Sequence, residues 1–322
     1  MLWLYISLGV LGVIILPIFF GALYGYNMGF YLSKKDKKKR GAAVDFERFI
    51  QSSERVKQLI KDFASREYEE ITITSFDGTM LHGKYFHIKD GAPLQIQFHG
   101  YKGNAFRDFC GGNQLALNLE HNTLVVDQRA HGKSGGHTIT MGLKEGRDCA
   151  CWAKYANERF GSNIPIFLVG VSMGGATVLM ASELDLPQNV VGIIADCPFS
   201  NGPEMVKRFI TDMDNVPKSI AYPFAYLGAL IFGRFNLNKA SARDAVKNTS
   251  LPIIILHGTA DTVVPYEMAT EIFESCSSRD KFIYSFDGAD HGMSFMVDPE
   301  KYTKATNDFI GLCINNFEKA KN

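Results

Sequence analysis

Short apolar runs that alternate with helical periodicity constrain this chain more than any other feature. The runs are Leu94 to Phe98, Thr123 to Val126, Ile166 to Val169, Val190 to Ala195, Ile253 to Leu256 and Phe282 to Ser285. Each has the length of a strand and is predominantly apolar, the pattern of strands buried on both faces. Between them lie helix-like segments near Ala105 to Leu119, Leu143 to Phe160, Met173 to Leu184, Pro265 to Ser275 and Pro299 to Phe317. The alternation predicts an α/β fold with a mainly parallel central sheet and helices on both faces. Upstream, Ile71-Thr72-Ile73-Thr74 alternates in strand fashion and Asp77-Gly78 is a turn pair before Met80 to His87, which predicts an antiparallel hairpin.

One interval breaks the rhythm. The stretch from Ala195 to Ile253 is far longer than an ordinary connection. It holds Met205 to Met213 and the apolar stretch Ile220 to Phe235, with Phe224, Tyr226, Leu227, Leu230, Ile231 and Phe232. These side chains are too many and too large to leave in water. They predict a helical cap inserted over the sheet at about residues 200–246. The uncharged run from Ser219 to Gly233 falls short of the ~20 residues a membrane span needs, so a second spanning helix is disfavoured.

From Leu2 to Leu32 the chain carries no charged side chain. Such a run is long enough to cross a bilayer as a helix, with Pro17 kinking it without breaking it. Trp3 and Tyr5 at one end, and Tyr24, Tyr26 and Tyr31 at the other, suit the two membrane–water interfaces. Immediately afterwards comes Lys34-Lys35-Asp36-Lys37-Lys38-Lys39-Arg40. Basic residues on this side only predict a single-pass anchor in the cell membrane with everything downstream in the cytoplasm; the same cluster suits anionic headgroups. A cleaved secretory signal would have a basic n-region and a shorter apolar stretch, and this run has neither. Gly21, Gly25 and Gly29 recur every four residues on one helix face, a stripe that lets another helix approach and would suit a homodimer.

The expected organisation is therefore an anchor at 1–33, a basic juxtamembrane segment and linker helix at 34–68, and a catalytic domain at 69–322. Within the linker, Phe46, Phe49, Ile50, Val56, Ile60 and Phe63 are spaced as one helix face. The 322 residues, 46% hydrophobic and with zero formal net charge, indicate a packed core and give no basic excess for nucleic acid. The six cysteines form no dense framework, and Cys149-Ala150-Cys151 has too short a spacing for the common zinc or redox motif, so they read as buried free thiols.

The chemistry centres on Gly170-Val171-Ser172-Met173-Gly174-Gly175, which follows one strand and opens a helix. That is the setting of a G-x-S-x-G nucleophile elbow, in which side chains at Gly170 or Gly174 would collide with neighbouring backbone. Ser172 is the expected nucleophile, and the Met173 N–H, at a helix N-terminus, an oxyanion donor. A serine needs a base, and the base an orienting carboxylate, in the chain order Ser, acid, His. Asp261, in His257-Gly258-Thr259-Ala260-Asp261, follows one late strand; His291, in Gly288-Ala289-Asp290-His291-Gly292, follows the next. All three fall at one rim of the sheet. His257 reads as a structural residue at a strand end, Asp290 as a turn residue, and Asp196 as an alternative acid. The second oxyanion donor is expected in His99-Gly100-Tyr101-Lys102-Gly103-Asn104, at the Tyr101 N–H. Gly132-Lys133-Ser134 resembles the end of a phosphate-binding loop, but the glycine required upstream is Asp127. No metal site and no cofactor are expected, because no histidine pair has ligand spacing.

With these residues in hand, the chain resembles the α/β-hydrolase superfamily over roughly Ile71 to Phe317. The likeness is carried by Phe98-His99-Gly100, Asp127-Gln128-Arg129-Ala130-His131-Gly132-Lys133-Ser134, Gly170 to Gly175, His257 to Asp261 and Asp290-His291-Gly292. Within it, the chain is similar to membrane-tethered bacterial hydrolases of the serine-aminopeptidase-like and Bem46-like groups. The family usually has glycine at the position of Ala130. The resemblance implies hydrolysis of an ester, thioester or amide through an acyl-enzyme, most simply by a carboxylesterase or acyl-lipid hydrolase acting on a small-molecule or lipid acyl substrate. A serine peptidase or acyltransferase on the same triad is the alternative, and a non-catalytic membrane protein the third reading. A carboxylate nucleophile, as in epoxide hydrolases, is disfavoured by Ser172.

Overall fold

The computed structural model describes residues 2–33, 35–37, 54–211 and 217–321. Lys34, the basic residues from 38 to 40, the first part of the expected linker helix (41–53) and part of the cap (212–216) lie outside the described residues. From the N-terminus, α1 (Leu2–Gly29) and α2 (Glu54–Ala64) precede the hairpin strands β1 (Glu69–Thr74) and β2 (Met80–Phe86). Then come β3 (Leu94–Phe98), α3 (Cys110–Asn118), β4 (Asn122–Asp127), α4 (Leu143–Phe160), β5 (Ile166–Val171), α5 (Met173–Ala181) and β6 (Val190–Asp196). The insertion contributes α6 (Gly202–Thr211) and α7 (Lys218–Ile231). The chain finishes with β7 (Ile253–Gly258), α8 (Tyr266–Ser275), β8 (Lys281–Phe286) and α9 (Pro299–Lys321).

The strands form one eight-stranded sheet in the order β1-β2-β4-β3-β5-β6-β7-β8. Pairing is antiparallel at β1–β2 and β2–β4 and parallel elsewhere. The expected α/β architecture is present, because each apolar run serves two cores at once. Successive residues of a strand point to opposite faces, so Leu124, Leu168, Ile193 and Ile255 pack with Trp152 on one side. Their neighbours Val125, Phe167, Ile194 and Ile254 pack with Phe63 and Phe309 on the other. Burying each such side chain contributes about 2 kcal/mol, and none of these eight is more than 3% exposed.

The predicted helix from Ala105 to Leu119 is broken at Phe109 (φ −113°, ψ 14°) into a short turn, Ala105–Asp108, and α3. The Asp108 carboxylate reaches back to the Gly100 N–H at 2.8 Å, and the chain reorients at the buried Phe109 ring. Periodicity alone does not report that tertiary bond.

Helix α2 buries Val56, Ile60 and Phe63. The Phe63 ring lies 5.1 Å from both Phe86 and Phe106, and Arg66 donates to Asn113 Oδ1 at 2.9 Å, so this segment is packed onto the sheet's helical layer. Helix α1 runs unbroken through Pro17. Its middle, from Val13 to Phe20, exposes large apolar side chains, among them Val13 (75%), Ile14 (55%) and Phe20 (60%). Its C-terminal part packs against α7 through small residues on both partners. A Cβ on Gly25 would stand 2.8 Å from the Ala225 backbone, and one on Gly228 would stand 2.3 Å from the Ala22 carbonyl. Two of the three stripe glycines, Gly21 and Gly25, thus face the chain's own cap helix, whereas a Cβ on Gly29 would meet nothing within 4 Å. Phe30, fully buried, stacks edge-on against Phe235 at 5.2 Å.

Candidate active site

Sheet register sets the site. Phe98 of β3 pairs with Gly170 of β5, and Val171 pairs with Asp196 of β6, so the ends of these strands lie side by side. At the end of β5 the chain must turn at once into α5, and Ser172 takes the strained conformation φ 57°, ψ −118°. Positive φ in a non-glycine residue costs of order 1–3 kcal/mol and persists only where the surroundings enforce it. Here the surroundings are backbone. A Cβ on Gly170 would stand 2.1 Å from the Gly174 carbonyl oxygen, and one on Gly174 would stand 1.7 Å from that of Phe98. The Ser172 N–H donates to the Asp196 carbonyl at 2.8 Å, fixing the turn.

A histidine and a carboxylate reach Ser172 from the loops after β8 and β7. His291 Nε2 lies 3.0 Å from Ser172 Oγ, and His291 Nδ1 lies 2.7 Å from Asp261 Oδ2. Nδ1–H therefore donates to the carboxylate, which leaves Nε2 as the acceptor that a serine hydroxyl needs. Asp261 Oδ1 accepts the N–H groups of Val263 (2.9 Å) and Val264 (2.7 Å). Burial alone would raise the Asp261 carboxyl, but bonds from His257 and His291, the His291 charge and the Val264 N–H hold it well below the usual range. The two loops meet backbone to backbone, with a Cβ on Gly258 falling 2.1 Å from the Ala289 carbonyl. Asp290, expected at a turn, is the pin between them: its Oδ1 accepts from Thr262 N (2.8 Å), Thr262 Oγ1 (2.9 Å) and His291 N (2.8 Å).

His257 has a larger part than the strand-end role expected for it. Fully buried, it directs Nε2–H at the Val264 carbonyl (2.9 Å) and lies 3.2 Å from Asp261 Oδ2. Asp261 thus sits between two imidazoles. The spacing His-x-x-x-Asp was visible in the sequence, but it does not reveal that the loop curls back on its strand.

Asp196, the alternative acid, is directed elsewhere: its Oδ2 accepts the Tyr302 hydroxyl at 2.9 Å, while His291 Nδ1 turns to Asp261. Burial pushes the Asp196 carboxyl up to about 6, against the Tyr302 bond, which favours the charged form. An unfolded aspartate titrates near ~3.9. The folded pKa is therefore raised, so the stability it contributes is complete below ~3.9 and is lost as pH rises through about 6. Asp196→Asn keeps an acceptor for Tyr302 and removes the buried charge. Thermal denaturation near pH 8 should show the variant more stable by on the order of 2 kcal/mol, with the gain gone near pH 4. A variant less stable than the wild type near pH 8 contradicts this.

The histidines of the other signature stretches build the loop after β3. His99 Nε2 accepts from Gln128 N (3.2 Å) and its Nδ1–H donates to the Gly100 carbonyl (2.8 Å). His131 Nε2 accepts from Lys102 N (3.1 Å) while its Nδ1–H donates to the Arg129 carbonyl (2.9 Å). Ala130, where the family usually has glycine, adopts φ 66°. Gly132-Lys133-Ser134 is a turn in which the Lys133 N–H donates to Asp127 Oδ2 (3.0 Å). The cap helix α6 bridges two site loops: Arg208 donates to the Val263 and Thr262 carbonyls (both 3.0 Å), and Phe209 stacks on Tyr101 at 5.4 Å. Cys197, Asp261 and His291 bring one ligand-type atom each within 4.8 Å of one another. A soft cation there would compete with the Asp261–His291 bond, and burial pushes the Cys197 thiol well up, away from the thiolate such a metal needs.

A parallel sheet with a strained serine between β5 and a helix, and an acid and histidine after β7 and β8, defines an α/β hydrolase. The model of the serine aminopeptidase S33 family matches residues 97–227 and 236–298, and the chain belongs to that family. Among curated proteins it is similar to the uncharacterised YqkD of Bacillus subtilis, 23% identical over 78% of this chain and 82% of the relative. It is also similar to bem46 of Schizosaccharomyces pombe, 25% identical over 78% of each. Among solved structures, the esterase Pf2001 of Pyrococcus furiosus superposes with a TM-score of 0.64 at 23% identity, over 79% of this chain and 95% of that one. The chain is accordingly a hydrolase. By length and composition, Gly12–Gly29 within α1 can cross a membrane, with a mean hydropathy of 1.4.

Proposed function

We propose that the chain is a membrane-anchored serine esterase whose Ser172, Asp261 and His291 form a catalytic triad that hydrolyses carboxylic esters with apolar acyl groups. The observation that carries this is the continuous chain of hydrogen bonds from Asp261 through His291 to Ser172, 2.7 and 3.0 Å long. His291 takes the proton from Ser172 Oγ as the oxygen attacks the ester carbonyl, and returns it to the leaving alcohol. Water then attacks the acyl-enzyme by the same route. The N–H groups of Met173 and Tyr101 hold the oxyanion. Tyr101 is supported for that task by its place in the loop directly after β3, which the Gly100 N–H bond to Asp108 and the Lys102 N–H bond to His131 hold on either side of it.

The exposed apolar side chains of α1 support the anchor, since a soluble surface rarely presents so many together. The basic residues that follow support a cytoplasmic catalytic domain. The esterase among the structural neighbours and the apolar cap favour esters. The family's description favours a second reading, an aminopeptidase. That activity needs a carboxylate for the substrate's ammonium group. Of the acids beside the triad, Asp290 accepts from Thr262 and the His291 N–H through Oδ1, and Asp196 is buried with Oδ2 on the Tyr302 hydroxyl.

Aryl esters of increasing acyl length, compared with aminoacyl amides on the full chain in detergent micelles, test the proposal. The expected result is ester turnover that rises from acetyl toward longer acyl chains, with amides slower by at least about a hundredfold. Faster cleavage of the aminoacyl amides would overturn the esterase reading.

A further inference from the structure

The oxyanion loop is tied to the end of the N-terminal helix. The last carbonyls of any helix lack partners within it and attract donors and positive charge. At the end of α1 those donors come from the loop after β3: the Tyr101 hydroxyl donates to the Gly29 carbonyl at 2.7 Å, and Lys102 Nζ donates to the Met28 carbonyl at 3.2 Å. The helix end is itself fixed to the catalytic domain. Leu32 N donates to the His137 carbonyl and Ile139 N to the Phe30 carbonyl, both at 2.8 Å, and the Tyr26 hydroxyl meets Thr138 Oγ1 at 2.7 Å.

The loop so held is under strain. Lys102 adopts φ 49°, a conformation its neighbours must enforce. Gly100 is held by Asp108, Lys102 by His131, and between them Tyr101 is held through its side chain, by Gly29 at the hydroxyl and by Phe209 against the ring. A donor in an oxyanion hole acts through its fixed position, and its loss costs about 10²–10³ in rate.

We infer that the C-terminal turn of α1 positions the oxyanion loop through the Tyr101 hydroxyl, so that the membrane helix completes the active site as well as anchoring it. The inference rests on the esterase reading above, and on Tyr101 N–H as an oxyanion donor. The Tyr101 hydroxyl acts through the backbone and is a positioning group. Its removal should therefore raise the barrier without weakening ground-state binding.

The test is Tyr101→Phe in the full chain in detergent micelles, assayed with an aryl butyrate and with a trifluoromethyl ketone, whose Ser172 adduct carries an oxyanion. The expected result is a fall in kcat of about tenfold or more, KM within about twofold, and a ketone inhibition constant that rises in step with the loss in kcat/KM. If the variant melts early, Lys102→Met, which removes the bond to the Met28 carbonyl and the ammonium over the Tyr101 ring while keeping the Tyr101 hydroxyl, should show the same split at smaller size. Wild-type kcat in Tyr101→Phe, or a change confined to KM, overturns the inference while leaving the esterase reading intact. A wild type without Ser172-dependent turnover overturns both.

Discussion

Ser172→Ala should lower kcat on an aryl ester by roughly a millionfold, the scale on which a nucleophile deletion acts in a triad. The geometry explains so large an effect. His291 Nε2 lies 3.0 Å from Ser172 Oγ and is oriented by Asp261, so with the oxygen gone the base has no nucleophile to activate. Folding should survive, because the turn is held by the Ser172 backbone and the flanking glycines and not by the hydroxyl. Steady-state kinetics beside a melting curve checks both halves. A variant that retains more than about a thousandth of the activity would mean that another group carries the attack.

Asp261→Asn should lower kcat by about 10³–10⁴ while leaving the fold intact. Two backbone donors, Val263 N and Val264 N, bind Oδ1, and the asparagine carbonyl oxygen will keep that place. Its NH₂ group then occupies the Oδ2 position, facing His291 Nδ1 and His257 Nε2. His291 must accept at Nδ1, which puts its proton on Nε2, toward Ser172, where a general base needs a lone pair. The substitution reverses the tautomer and leaves the packing alone. Activity near the wild-type level would show that Asp261 does not orient the base, and would return attention to Asp196.

These effects were open to prediction because the fold announced itself. The central parallel strands β5, β6 and β7 are buried on both faces, so they appear as predominantly apolar runs. Strand β3 spans the expected Leu94 to Phe98, although it buries Gln95 and Gln97 as well. The elbow glycines are demanded by sterics, which is why Gly170 and Gly174 are legible in the sequence: a Cβ at either would fall 2.1 or 1.7 Å from a backbone oxygen. Other features depend on contacts between distant residues. The stripe of Gly21 and Gly25 shows that a helix packs there, but the sequence does not say whose; the structure brings α7 of the same chain. His257 looks like a strand terminus until the curl of its loop brings it to Asp261. The sequence marks Tyr101 for its backbone, and the reach of its hydroxyl to Gly29 follows only from where α1 docks.

The central claim is that Ser172 is the nucleophile, and covalent labelling tests it most directly. The full-length protein is treated with a fluorophosphonate, digested, and the adduct located by mass spectrometry. The account predicts one adduct, on Ser172, formed in step with the loss of esterase activity and absent from Ser172→Ala. An adduct on any other residue, or inactivation with Ser172 unmodified, would contradict it.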